Sequence, residues 1–494
     1  MEKGNCPAHC TGGDHLTRRH FVRNSSLAAL GTLFMNEFNL FASKSRITIN
    51  PITACGPASG YRPTIKAAFV RRKEDYGMLW PGAVYDGEAA LKKYSDQLNE
   101  TSKKLMIRFD LRTTPLNSLE ETDNWVSEAK GASADGLMLV LLDRQAHAWP
   151  SAKKASESGI PTVIFSPLGT SFTTNTVELA EKSGCIIYAT NDFSQPAFGM
   201  KMLEAGARIK KARCVVIKGD KRFEQTLGNT GINLQFIPAR SFMDEYQAMP
   251  VTKEIEVMAD EYMRKATKIV NASRQDVING IKSYRVAGKI LENENADAIS
   301  MDCLGALGKT DISLPCIAWS RMNDDGIPAA CEADLGAVAT HIMVQYLFDR
   351  PGFQQDPVAD TSDDTIIGAH CSSPTRLNGF NNPPEPFDLV HHHGNRDAVP
   401  RTLWRTGQRI TCLDVLPADN GEAVPTKFLI SSGTVVENMS VPPSGGCVVS
   451  IKAKMDGSQK VLTFPGFHQL FFYGDYKKEL TEFCQLFNYR AEVV

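Results

Sequence analysis

IKAAFV (65–70), GLMLVLL (136–142) and TVIFSP (162–167) decide the fold of this chain. Each is a short apolar run with little alternation along it. A strand without a period of two is buried on both faces, which is the mark of a parallel sheet covered by helices. LMIRFD (105–110) and CIIYAT (185–190) have the same texture, and the stretches Asp86–Glu100 and Asn117–Lys130 between these runs carry helical spacing. A second series follows: RCVVIKG (213–219), LQFIPA (234–239), AISMDC (298–303) and CIAWSR (316–321), interrupted by helical patterns over Asp244–Thr267 and Arg274–Glu292. Strands alternating with helices predict doubly wound α/β units, and the length exceeds one such unit.

After about residue 372 the texture changes. SSPTRLNGFNNPPEPFDL (372–389) is rich in Pro, Asn and Gly and is read as a loop or linker. QRITCLDVL, TKFLISSGTVVEN, GGCVVSIKAKM, QKVLTF and HQLFFYGDY follow, separated by turn residues, and then one amphipathic helix, YKKELTEFCQLFN (476–488). The expected fold is α/β: two doubly wound α/β domains followed by a C-terminal antiparallel β-barrel-like domain. The boundaries are a leader at 1–46, an N-terminal α/β domain at 47–192, a central α/β domain at 193–345, and a β-domain with a terminal helix at 346–494.

The 494 residues hold 54 basic and 56 acidic side chains, a formal net charge of −2, and no long basic block. Nucleic-acid binding has no electrostatic support in that balance. Twelve cysteines are too few for a disulfide scaffold at this length. Cys185, Cys214, Cys303 and Cys316 begin or end apolar runs, as small buried hydrophobes do, whereas Cys6 and Cys10 sit in the leader. Thr17-Arg18-Arg19-His20-Phe21-Val22-Arg23 matches a twin-arginine export pattern, with cleavage expected near Ala42 or Ser45. The segment behind it is interrupted by Asn36, Glu37 and Asn39, so no membrane span is expected. A periplasmic or exported protein follows from that reading; an ordinary N-terminal extension would leave it cytoplasmic.

Glu332, Asp356 and His370 are the residues on which chemistry can rest. Glu332 opens the helical run ADLGAVATHIMVQYLF, Asp356 follows the turn at Arg350-Pro351-Gly352, and His370 ends the strand-like TIIGAH. Carboxylates with imidazoles suit a divalent ion of the manganese, iron or zinc kind. The plainer reading has Glu332 capping a helix, Asp356 closing a turn and His370 satisfied in the core.

CEADLGAVATHIMVQYLFDRPGFQQDPV (331–358), then GAHCSSP (368–374) and Gly466-Phe467-His468, resemble the metal-site segments of the L-fucose/L-arabinose isomerase superfamily. The resemblance implies Glu332 and Asp356 as ligands at the fucose isomerase spacing. It adds His370 from the G-x-H segment of the arabinose isomerase branch, and His468 as the final histidine from the C-terminal domain. It further implies Mn2+ or another divalent metal, a small-molecule sugar substrate, no nicotinamide cofactor, and a homo-oligomer, trimer or hexamer. The reaction would be aldose–ketose interconversion through an ene-diolate, with Glu332 and Asp356 as acid and base.

Other residues are candidates for contacting the sugar. Arg71 ends the first strand, where doubly wound sheets bind ligands; Trp80 offers a stacking face; Arg321, with Ser320 and Asp302, ends strands near Glu332. His392, within His391-His392-His393, is read as a second metal or substrate contact or as part of a solvated loop. LGKT (307–310) lacks the glycine pattern of a nucleotide loop. An exported sugar-binding protein, or a metal-dependent epimerase or lyase on a modified sugar, would share most of these features.

Overall fold

Strands β1 (Thr64–Val70), β2 (Arg108–Leu111), β3 (Gly136–Leu141), β4 (Thr162–Ser166) and β5 (Cys185–Ala189) form a parallel sheet in the order β2-β1-β3-β4-β5. The structure is a computed structural model describing residues 49, 51–73, 86–144, 147–392, 396–418, 425–439, 447–457 and 460–494. The leader with its twin-arginine pattern, Cys6, Cys10, Trp80 and His393 lie outside the described residues. Every residue of β3 and β4 is buried, because helices cover both faces. Leu137, Leu139 and Leu141 share a core with Trp125, Ala129 and Trp149 of the helices Leu119–Gly131 and Ala148–Ser156. Met138 and Val140 point the other way, into a core with Tyr94, Leu98 and Leu203. The missing alternation in the sequence thus has a direct cause: both pleat faces are interior.

The second sheet holds β6 (Arg213–Ile217), β7 (Phe223–Thr226), β8 (Asn233–Ile237), β10 (Ala298–Met301) and β11 (Ala329–Cys331), in the order β11-β10-β6-β8-β7. All pairs are parallel except β7 with β8. Two expectations are corrected here. CIAWSR is not a strand but the start of the helix Cys316–Asp324. Seven of its nine residues are buried, so it carries no amphipathic period by which to tell helix from strand. The single pattern Asp244–Thr267 is two helices, Arg240–Ala248 and Lys253–Lys265. Pro250 lacks an N–H and restricts Met249 before it, and Thr252 caps the second helix by accepting from the Ile255 N–H.

Beyond it, β12 (Phe353–Asp360), β13 (Thr365–His370), β16 (Arg409–Leu416), β17 (Lys427–Met439), β18 (Val449–Met455) and β19 (Gln469–Tyr473) close into a six-stranded antiparallel barrel. Its order is β16-β19-β12-β13-β18-β17, and β17 pairs back to β16. The helix Lys477–Phe487 is as expected, and β20 (Arg490–Val493) then adds in parallel to β17. QKVLTF is corrected from a strand to a short 3-10 turn, Val461–Thr463. The stretch read as linker ends inside a strand: β14 (Phe387–His391) pairs with β15 (Ala398–Thr402) and, in parallel, with β9 (Lys268–Ile269).

Barrel closure leaves Gly368 of β13 no room for a side chain. A Cβ there would lie 2.6 Å from the Phe471 ring and 2.9 Å from the Gln355 side chain, both groups fully buried. Gly368→Ala is therefore expected to lower stability by about 1–3 kcal/mol, read as a lower denaturant midpoint. An unchanged midpoint would contradict this packing of β13 against β19.

Candidate metal centre

The α/β half contributes a bend that no helix rule anticipates. β11 ends at Cys331, and the next two residues, Glu332 and Ala333, both adopt left-handed backbone, with φ of 63° and 51°. Glu332 is therefore not at the helix N-terminus. Asp334 is the N-cap of the helix Leu335–Phe348, its Oδ1 accepting from the Ala337 N–H at 2.8 Å. Left-handed non-glycine residues cost of order 1–3 kcal/mol each and persist only where surrounding contacts hold them. Here Gln354 does so: its Oε1 accepts from the Cys331 N–H at 2.8 Å, and its Nε2 donates to the Cys331 carbonyl at 3.4 Å. This side-chain amide pins the end of β11 to β12.

The barrel contributes the other three residues through its register. Asp356 lies within β12, which begins directly after Arg350-Pro351-Gly352, so it does not close a turn; it stands opposite Ala369 of β13. His370 is the last residue of β13, as the sequence predicts. On its other side β12 pairs with β19, with Gln355 facing Gln469, so the next position along brings His468 toward Asp356. His468 itself has φ of 55° and stands just before β19. Asp414 braces that loop by accepting from the Phe467 N–H at 3.2 Å.

The four side chains converge. His468 Nε2 is 3.2 Å from Asp356 Oδ1 and 3.6 Å from Glu332 Oε2, and His370 Nε2 is 3.7 Å from Glu332 Oε1. Ligand atoms of Glu332, His370 and His468 all lie within 4.8 Å of one another. Donors each about 2.1 Å from one ion stand about 3.0–3.4 Å apart in octahedral or tetrahedral shells, so a cation fits with small shifts. His468 Nδ1 is 2.9 Å from Asp334 Oδ2. A carboxylate only accepts, so Nδ1 carries the hydrogen and Nε2 presents its lone pair to the other carboxylates. Asp356 Oδ1 is buried with no hydrogen-bond partner among the described residues. A lone pair facing an unpartnered carboxylate oxygen calls for a positive charge between them, a proton or a metal ion. The imidazoles are 3% and 6% exposed while Glu332, Asp334 and Asp356 are 31–34% exposed, so the centre opens to solvent on its carboxylate side.

The two imidazoles are tuned apart. Burial pushes His370 down to about 3, with His468, His392 and His341 adding to the effect, so it is neutral and suited to ligation. Burial also pulls His468 down, but the hydrogen bond to Asp334 and the charges of Asp334, Asp356 and Glu332 outweigh it and raise its pKa. Asp356 is raised by burial, against the pull of His468, with Glu332 and Asp334 adding to the rise. Asp334 is lowered overall: burial opposes ionisation, and the His468 hydrogen bond overcomes it.

The remaining candidates are placed elsewhere. Arg71 stands just past the end of β1, and it pairs with Glu88. Arg321 lies on a helix and stacks over the rings of Tyr262 and Tyr284, 5.7 and 4.7 Å from their centroids. Ser320 of that helix donates to the Ser373 carbonyl, and Asp302, after β10, caps the short helix Cys303–Leu307. His392 is buried rather than solvated, and sits beside Cys316 and Cys371. Sequence reading missed Asp334, Gln354 and Cys447. Asp334 carried a usable signal, an Asp immediately before an apolar helical run. Gln354 carried none. The half-buried Cys447, raised to about 11 by burial and by the nearby Asp356, Glu332 and Cys331 charges, is brought to the centre only by the barrel.

No helix among the described residues is long and apolar enough to cross a membrane. No protein-family model matches the chain, and no curated protein matches it. Among solved structures it is similar to a XylFII molecule, at 14% identity over 59% of this chain and 96% of that one, with a TM-score of 0.17. It is also similar to an ABC transporter solute binding protein from Burkholderia multivorans, at 12% identity over 59% and 95%, with a TM-score of 0.18. At these scores the likeness carries no argument about this chain.

The pair Asp334–His468 predicts a pH signature in the metal-free protein. His468 titrates higher folded than unfolded, so its stabilisation is complete below about 6.5 and is lost as pH rises through the folded value. Asp334 titrates lower folded than unfolded, so its share is present above about 3.9 and is lost as pH falls through its folded value. Asp334→Asn keeps a helix cap but removes the charge. It is expected to lower the His468 midpoint in an NMR titration and to cost more stability near pH 5 than near pH 9. An unmoved His468 midpoint would assign its proton affinity to other groups.

Proposed function

We propose that this chain is a metal-dependent sugar isomerase, interconverting an aldose and a ketose through an ene-diolate, with Mn2+ or another divalent cation held by Glu332, Asp356, His370 and His468. The observation that carries the reading is the meeting of two carboxylates and two imidazoles from four separate segments, with Asp334 orienting one imidazole. The resemblance to the fucose and arabinose isomerases supports the same residues.

A divalent cation bound there supplies Lewis-acid stabilisation of negative charge developing on adjacent sugar oxygens. The residues do the rest. Moving a proton between C1 and C2 needs a base that takes it and an acid that returns it, effects typically worth ~10²–10⁴-fold. Glu332 lies beyond hydrogen-bonding distance of both imidazoles, so its oxygens are not committed to either. Asp356 has a raised pKa, which makes it a better proton carrier than a solvated carboxylate. Both are partly exposed, so a sugar approaches from their side. His468 is held by Asp334 and His370 by burial, so neither imidazole has to reorient when a substrate enters. The leader extends the proposal to an exported enzyme, and the resemblance extends it to a trimer or hexamer, which light scattering reads directly.

Manganese-loaded protein in deuterated water, incubated with a panel of aldoses, uronates and sulfonated sugars, is expected to place deuterium at C1 or C2 and to yield the ketose. Glu332→Gln and Asp356→Asn should fold normally, lose bound metal, and lose at least ~10²-fold in rate. Either variant with full metal and wild-type turnover sinks the proposal. Deuterium at C2 without ketose would make the enzyme an epimerase, and a sugar affinity indifferent to chelation would make the chain a binding protein.

A further inference from the structure

Behind the carboxylate-rich centre the same strands carry a second set of donors of a different chemical kind. Cys371 follows His370 at the end of β13, Cys316 is the first residue of the helix Cys316–Asp324, and His392 follows β14. The Cys316 and Cys371 sulfurs are 3.5 Å apart. One ligand atom from each of Cys316, Cys371 and His392 lies within 4.8 Å of the others, and all three residues are buried. Neither cysteine is in a disulfide.

Three further features favour a ligand here. Cys316 opens a nine-residue helix, and its hydrogen bond with Cys371 and the helix's positive end favour the thiolate, while burial and the neighbouring thiols raise its pKa overall. The His392 backbone is held in place, its N–H donating to the Arg396 and Asp397 carbonyls at 3.1 and 3.0 Å. Arg396 is itself fastened to the Thr310 and Ile312 carbonyls at 2.8 and 3.0 Å. Finally, the Cys331 thiol, 3.1 Å from the Ser372 hydroxyl, stands beside Cys371 as a further sulfur.

We infer that Cys316, Cys371 and His392 form a second metal site, one that takes zinc(II) and is separate from the centre at Glu332. Thiolates bind zinc at ~2.3 Å and imidazoles at ~2.0–2.1 Å, so two sulfurs in a tetrahedral shell stand ~3.8 Å apart, close to the spacing found. Carboxylate-rich sites suit manganese or magnesium, whereas thiolate with imidazole selects zinc and softer ions, so the two sites differ in preference. Being buried, the site is structural: zinc would join the helix at 316, the end of β13 and the β14–β15 hairpin. It would thereby fix the backbone directly after His370. Binding releases the thiol protons, so affinity rises with pH.

The test uses the reduced full-length protein, stripped with a chelator and titrated with cobalt(II) as the probe. The expected result is a thiolate-to-cobalt charge-transfer band that zinc abolishes by displacement. The band should persist in the double variant Glu332→Gln/Asp356→Asn, which separates this site from the proposed catalytic one, and vanish in Cys371→Ser. If Cys371→Ser does not fold, His392→Asn decides, with an expected loss of zinc affinity of at least ~10-fold. No band in the wild type, or a band unchanged in a folded Cys371→Ser or in His392→Asn, overturns the inference.

Discussion

Both oxygens of the Asp334 carboxylate are spoken for: one receives the Ala337 N–H and closes the N-terminus of the helix Leu335–Phe348, and the other receives Nδ1–H of His468. The first contact belongs to the α/β half and the second to the barrel. Two hydrogen bonds to one charged group, each worth roughly 1.5–3 kcal/mol, therefore lock the edge of the second sheet to the loop before β19. The left-handed backbone at Glu332, Ala333 and His468 is tenable because of this lock and the Gln354 clamp on Cys331.

The same carboxylate organises the charge. Two histidines sit side by side, ring centroids 5.7 Å apart, yet burial drives one toward neutrality while three carboxylates draw a proton to the other. The protein has arranged a place where positive charge is wanted and has left the carboxylates, not the imidazoles, facing solvent. That asymmetry is what the proposed function asks for, a cation held on the buried side and a polar substrate met on the open side.

The barrel is the device that gathers distant residues. Closure of β16 on β17 fixes the register of every strand, and a slip of one residue would turn Asp356 and His370 to the opposite face. Immediately behind this centre the register also sets Cys371 beside Cys316, so hard and soft donor sets lie back to back on one strand end.

The chain by itself determined the class of the fold. Unalternated runs such as GLMLVLL and TVIFSP predict parallel strands buried on both faces, and the turn-punctuated runs after 400 predict a small antiparallel β-domain, a barrel or a sandwich, because the presence or absence of a period of two can be read locally. His370 was legible at a strand end for the same reason, whereas His468 was reached only through the resemblance. Where burial is complete the period vanishes, and so the helix at CIAWSR reads like a strand. The left-handed turn at Glu332, the orienting role of Asp334, the Gln354 clamp and the meeting of Cys316, Cys371 and His392 had no local signature strong enough to find them. They depend on which strands become neighbours, and strand pairing is decided by long-range closure rather than by any one segment. Tertiary structure also moved Arg71 and Arg321 to partners of their own, since a strand-end position says where a residue stands but not which of its neighbours will take its charge.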